Sequence, residues 1–125
     1  MIYGIGLDIQ SIKQFEDVIT RQQDDFLKRV FTSNEIQYCK QFQSSSQYFA
    51  ARWCVKEAFL KAIGTGISKG YRLCDIETIK TDSGKPEVVL HGKVKDDFEQ
   101  LELDVLVSIS HSDGYAASQV IIYSK

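Results

Sequence analysis

Residues 47–66, QYFAARWCVKEAFLKAIGTG, decide the reading of this chain. At about 100° per residue, Tyr48, Ala51, Cys54, Val55, Ala58, Phe59 and Ala62 share one apolar arc, the core-facing stripe of a helix. Arg52, Lys56, Glu57 and Lys61 fill the rest of the circle, mixed with Phe49, Trp53 and Leu60. A solvated face rarely mixes large apolar side chains with its charges, so the spacing predicts the wall of a cleft or of a subunit interface. Ser44 followed by Gln47 offers a capping box at the start, and Gly64 stands where a left-handed C-terminal glycine belongs.

Working outward, the N-terminal Ile2–Leu7 alternates around Gly4 and Gly6 and reads as a strand, its glycines allowing something else to approach the backbone closely. Asp8 is expected at its C-terminal end. A helical pattern starting at Gln10 or Ser11 carries Ile12, Phe15 and Ile19, breaks near Thr20–Gln23, and resumes with Phe26, Leu27 and Val30. Thr32-Ser33-Asn34-Glu35 is a capping box, with Phe31 and Ile36 placed for a hydrophobic staple, and its helix should run to about Phe42.

Beyond Gly66 the period shifts from 3.6 towards 2. Leu73–Ile79 and Glu87–Leu90 read as a hairpin closed by Thr81–Pro86. Val94, Phe98 and Leu101 mark a short amphipathic helix. Val105, Val107 and Ile109 alternate in a strand, and Tyr115–Tyr123 returns after the turn Ser112-Asp113-Gly114. Helical segments precede most of the strands, so the fold class is α+β in one domain spanning 1–125.

Composition bounds the function. The chain of 125 residues is 43% hydrophobic and 26% charged, ordinary for a globular domain that buries roughly two thirds of its unfolded surface. A net charge of −2 argues against a dedicated nucleic-acid binder, which needs a clustered positive field. The apolar runs are far short of a bilayer span, and MIYGIGLDIQ has no basic n-region or cleavage site, so no membrane segment and no secretory signal are expected. Three cysteines without ligand or disulfide spacing are expected to be reduced thiols in the cytoplasm.

Four local signals could carry chemistry: Asp8, the set Lys56-Glu57…Lys61, the loop Gly64-Thr65-Gly66, and Ser110-His111. Taken singly, each has a plain structural explanation. Asp8 would be a turn former, Glu57 and Lys61 a surface pair worth ~0.3–0.5 kcal/mol, the glycines a C-cap, and His111 a satisfied histidine. Together they match a Mg²⁺–polyphosphate site. Mg²⁺ retains waters and is held by one or two carboxylates with substrate phosphates; lysines and glycine-rich backbone suit the anion. Zinc is disfavoured without paired Cys and His, and no G-x-S-x-G elbow supports a serine hydrolase.

GIGLDI at 4–9, FTSNE at 31–35, ARWCVKEAFLKAIGTGI at 51–67, SGKPEV at 83–88 and SISHSDGYAAS at 108–118 resemble the holo-acyl-carrier-protein synthases, the small 4′-phosphopantetheinyl transferases. The motifs follow in family order over nearly the whole chain. The resemblance implies transfer of the 4′-phosphopantetheine arm of coenzyme A to a serine of apo acyl carrier protein, releasing adenosine 3′,5′-bisphosphate. It also implies a homotrimer with active sites at subunit boundaries, which would explain Phe49, Trp53 and Leu60.

Carried over by position, Asp8 and Glu57 look like Mg²⁺ ligands, and Lys61 like the phosphate contact that assists the leaving oxygen. His111 resembles the histidine that contacts coenzyme A phosphates, with Ser110 beside it. Gly64, Thr65 and Gly66 match the loop beside the coenzyme, and Gly84, Lys85 and Pro86 the hairpin turn near its nucleotide end. Arg52 and Lys56 are assigned to the 3′-phosphate or the pyrophosphate, with a structural pairing to the carboxylates as the alternative for Lys56. The expected reaction is displacement at the β-phosphorus, with Glu57 or a metal-bound water as the base.

The chain departs from the family in its first helix, where the basic residues Lys13, Arg21, Lys28 and Arg29 are diluted by Glu16, Asp17, Asp24 and Asp25. A weaker, more selective carrier docking face is expected. Two rivals remain: a non-catalytic coenzyme A or nucleotide-binding trimer, and a Mg²⁺-dependent phosphohydrolase that would release adenosine 3′,5′-bisphosphate without carrier protein.

Overall fold

The computed structural model describes residues 1–64 and 70–125. The chain runs β1 (Ile2–Ser11), α1 (Ile12–Val30), α2 (Ser33–Lys40), α3 (Ser45–Ile63), β2 (Ile76–Lys80), β3 (Pro86–Leu90), α4 (Gly92–Gln100), β4 (Leu103–Ser112) and β5 (Tyr115–Ser124). Strands β1, β5 and β4 form an antiparallel sheet in that order, and β2 pairs with β3 as a separate hairpin. The α+β expectation holds.

The arrangement is built on α3 lying across one face of the three-stranded sheet. Gly4 and Gly6 make this possible, because a Cβ at either position would overlap the carbonyl oxygen of Ala62 or Ala58. The close approach foreseen for these glycines is therefore that of α3. On one flank of the helix, Val55, Ala58 and Phe59 pack with Ile76, Val94, Phe98, Val120 and Ile122. On the other, Phe49, Ala50, Ala51 and Cys54 pack with Phe15, Leu27, Phe31 and Ala116. Burial on both flanks corrects the interface reading of Phe49 and Leu60, which are 2% and 8% exposed within a single chain. Trp53 is half-buried against Phe15 and Phe26.

Several boundaries differ from those read in the sequence. β1 continues to Ser11, so Asp8 lies inside the strand opposite Ser118 and not at its end. The alternation that was read only to Leu7 continues through Ile9, with the carboxylate on the helix side. α1 is two helical pieces joined through a kink at Gln23, whose φ of 59° and ψ of −149° place the break at the edge of the expected segment. The Thr32–Glu35 capping box forms in full, yet α2 ends at Lys40. The Ser44–Gln47 box does not form, because the Ser44 side chain makes no cap hydrogen bond. Leu73–Asp75 is a 3₁₀ turn, so β2 starts only at Ile76. Leu101 lies past the end of α4 and is exposed. Asp113 and Gly114, both with positive φ, close the β4–β5 hairpin as a two-residue turn.

Among the described residues no helix is long and apolar enough to cross a membrane. Cys39, Cys54 and Cys74 are free thiols.

Candidate active site

The expected site residues separate into two groups on opposite sides of α3. Glu57 and Lys61 lie five and nine positions beyond Arg52, about 140° and 180° around the helix. The first group sits on the seam between α3 and β1. Lys61 Nζ stands 3.1 Å from Asp8 Oδ1 and donates to the Leu7 carbonyl at 3.0 Å. Burial, reinforced by the negative charge of Asp8 and opposed by Lys61, raises the Glu57 carboxyl above its ordinary range. The two carboxylates are thus close enough to feel one another. Cys54 lies beneath them: burial, then the Asp8 charge, pushes its thiol up to about 12, and it donates to the Ala116 carbonyl. Such a thiol stays protonated and inert.

Among the described residues no three His, Cys, Asp or Glu side chains gather into a cage. Asp8 and Glu57 are a bare pair of hard oxygen ligands, which fits Mg²⁺, an ion that completes its shell with water and phosphate oxygens.

The second group lines a cavity of about 360 Å³ between α3, β2, the hairpin turn and the end of β4. Arg52 is 5% exposed, and its Nε has no hydrogen-bond partner among the described residues. Its guanidinium lies 4.2 Å from the centroid of the Tyr38 ring. A buried cation with an unused donor, facing a cavity, is suited to an anion. His111 lines the same cavity, its Nε2 3.1 Å from Gln47 Nε2, and Gly84 and Pro86 form part of the wall. Lys80 also lines it. Sequence reasoning missed Lys80, although its cross-strand pairing with Pro86 follows from the hairpin register. Tyr38, Tyr48 and Thr78 complete the wall, and their local sequence carries no sign of it.

The other expected residues lie elsewhere. Lys56 is a correction: its ammonium is fully buried and bonded to Glu35 Oε1 at 2.9 Å and to the carbonyls of Leu73 and Ile76. Glu35 also accepts from the backbone of Thr32 and Thr78, each at 3.0 Å. Lys56 therefore belongs to the core, paired with a carboxylate of α2 and not with Asp8 or Glu57. Burial lowers its pKa, against the opposing pull of Glu35. Ser110 precedes His111 on the same strand and so points to the opposite face of the sheet, away from the cavity. Lys85 lines a separate groove between β3 and β4. Gly64 ends α3 with a φ of 84°, its N–H donating to the Leu60 carbonyl. Thr65 and Gly66 lie outside the described residues.

Residues 4–120 match the model of the 4′-phosphopantetheinyl transferase superfamily. The chain belongs to this family. Among relatives of this superfamily, the holo-[acyl-carrier-protein] synthase of Geobacter sp. (strain M21) is 39% identical over 123 residues, covering 98% of both chains. The phosphopantetheinyl transferase fold is matched by the crystal structure of holo-[acyl-carrier-protein] synthase from Neisseria meningitidis, with a TM-score of 0.91 and 30% identity over 99% of this chain and 100% of that one. The synthase from Bacillus anthracis str. Ames, in complex with CoA (3′,5′-ADP), gives a TM-score of 0.83 and 35% identity over 100% of this chain and 99% of the other.

Proposed function

We propose that this chain is a holo-[acyl-carrier-protein] synthase, transferring the 4′-phosphopantetheine arm of coenzyme A to a serine of apo acyl carrier protein and releasing adenosine 3′,5′-bisphosphate. The observation that carries the reading is the Asp8–Glu57–Lys61 cluster on the α3–β1 seam of a chain in this family. Asp8 and Glu57 would hold Mg²⁺, which supplies Lewis-acid polarisation and charge neutralisation at a bound pyrophosphate. Lys61, now on Asp8, is the cation able to turn to the α-phosphate oxygen as it departs. The serine oxygen forms a bond to the β-phosphorus while the bond to the bridging oxygen breaks. Glu57 or a metal-bound water would accept the serine proton. Arg52, His111 and Lys80 supply positive or hydrogen-bonding contacts for the nucleotide's 3′-phosphate, with Gly84 and Pro86 against its base.

The same reading assigns the protein to a homotrimer in the cytoplasm. On the sheet face turned away from α3, Ile5, Leu7 and Ile9 are 59%, 63% and 65% exposed, and Leu106 of β4 joins the same face across Ile121 of β5. Contiguous apolar surface of this kind marks an association site. Because the two groups lie on opposite sides of α3, a coenzyme that touches both takes one from each of two neighbouring copies. The carrier protein would meet α1. A further cavity, lined by Gln10, Phe15, Arg21 and Trp53, opens there, and Trp53 lies one helical turn from Glu57.

Intact-protein mass spectrometry of apo acyl carrier protein incubated with the protein, coenzyme A and Mg²⁺ tests the assignment. A phosphopantetheine-sized gain that disappears with EDTA is expected. Coenzyme A binding without any gain across several carriers would move the assignment to a non-catalytic binding module. Nucleotide release without carrier would move it to a hydrolase.

A further inference from the structure

We infer that Gln47 is a positioning residue: its side-chain amide fixes His111 in the tautomer with the proton on Nδ1 and aims that N–H into the cavity at a phosphoryl group. The inference rests on the reading of this cavity as the coenzyme's nucleotide subsite. Its basis is the contact between Gln47 Nε2 and His111 Nε2 at 3.1 Å, linking the first turn of α3 to the end of β4 across 64 residues of sequence. An amide nitrogen only donates, so the imidazole nitrogen facing it must accept, and the ring proton is left on the other nitrogen. A free neutral imidazole favours the opposite tautomer, with its proton on Nε2, so the amide reverses the default.

Gln47 is available for this because it does not cap its helix. Ser44 makes no side-chain cap, and the Gln47 backbone N–H donates to the Ser44 carbonyl, leaving the side chain free to reach β4. Among the described residues the other charged or titratable groups lining the cavity are Arg52 of α3, Lys80 of β2, and the phenols of Tyr38 in α2 and Tyr48 in α3. None of the lining residues is a carboxylate. Arg52 and Lys80 have no acceptor to offer the ring, and Gln47 is its hydrogen-bond partner. A neutral ring with a fixed donor then completes a set of donors around the anion: the unused Arg52 Nε–H, the Lys80 ammonium and His111 Nδ1–H.

The test uses the full-length protein labelled with ¹⁵N-histidine. Correlation spectra of the ring nitrogens are recorded with and without adenosine 3′,5′-bisphosphate, for the wild type, Gln47→Leu and Gln47→Glu. His91, on the far side of the hairpin, serves as the internal control for an intact fold. In the wild type, His111 should show a protonated Nδ1 and a bare Nε2, and the nucleotide should shift Nδ1. Gln47→Leu should move the proton to Nε2 and weaken nucleotide binding roughly 2–10-fold, the worth of one net hydrogen bond, with the loss in transfer assays falling on KM for coenzyme A. Gln47→Glu offers only acceptors and should fix the proton on Nε2, the opposite orientation. An unchanged His111 spectrum in Gln47→Leu, even with a lowered Tm, would reduce Gln47 to a structural contact and overturn the inference. A wild-type His111 indifferent to the nucleotide would overturn the aim of the donor and the subsite reading together, whatever tautomer it shows.

Discussion

Glu57 is the residue where stability and chemistry pull apart. Its folded pKa is raised, so its favourable contribution to folding is fully present below the pKa of the unfolded chain and is lost as pH rises through the folded value. At neutral pH the ionised carboxylate beside Asp8 therefore destabilises the fold. Glu57→Gln should raise Tm at neutral pH, with the gain closing as the solution is acidified past the ordinary carboxylate range; a lowered Tm at neutral pH would contradict the assignment. Under the proposed function, removing either carboxylate should be far more costly to turnover. Asp8→Ala and Glu57→Ala should each slow transfer at least ~10²-fold in a coupled assay at saturating Mg²⁺, while leaving size-exclusion behaviour unchanged. Near wild-type turnover in either would remove it from the ligand set. That these two residues and Lys61 come together on the α3–β1 seam was legible from their types and spacing on one helix and one strand. Lys56 could not be separated from them, since it adjoins Glu57 in sequence. Only the 100° step around α3, together with a carboxylate 21 positions away on α2, takes it into the core.

At the level of the element, α1 shows how a charge count becomes a geometry. Lys13 lies 3.6 Å from Glu16 and 3.4 Å from Asp17, and Arg21 and Arg29 turn back to the carbonyls of Asp17 and Asp25. Lys13 is ion-paired along its own helix, while Arg21 and Arg29 keep their charge, and it is the interspersed Glu16, Asp17, Asp24 and Asp25 that support the expectation of a diluted docking face. KM for the carrier protein should change little between low and physiological ionic strength, since the four carboxylates of α1 balance its four basic residues and leave little net field to be screened. A steep rise with salt would show that α1 still recruits its partner by charge. The helices themselves were largely readable: the Thr32 box, the break near Gln23 and the left-handed Gly64 are all local signals. β1 was read too short because Asp8 looked like a terminus, when it is an inward-facing position in a strand whose outward face stays apolar through Ile9. The Gln47–His111 contact and the Lys80 wall join segments distant in sequence, and no local pattern announces them.

For the whole molecule, the open sheet face is the feature on which the proposed trimer rests. Leu7→Lys or Ile5→Glu should yield a smaller species by multi-angle light scattering, with transfer lost and secondary structure retained. If either variant kept the wild-type mass and activity, the sheet face would not be the contact between copies. The α+β class and the family motifs could be read directly, but this apolar face was not singled out. Its residues alternate as any strand's do, and only the packing of α3 shows which side is already filled.

The separation of Asp8 and Arg52 to opposite sides of α3 also has a genetic reading. Each chain would lend one half to the site on its left and the other half to the site on its right. Two alleles, Asp8→Ala and Arg52→Ala, each inactive alone, should then complement one another when refolded or expressed together. With random assortment into rings, about a quarter of the boundaries would pair two intact halves, and activity should return to that fraction of wild type. Were each site instead built from one chain, the mixture would stay as silent as its parents.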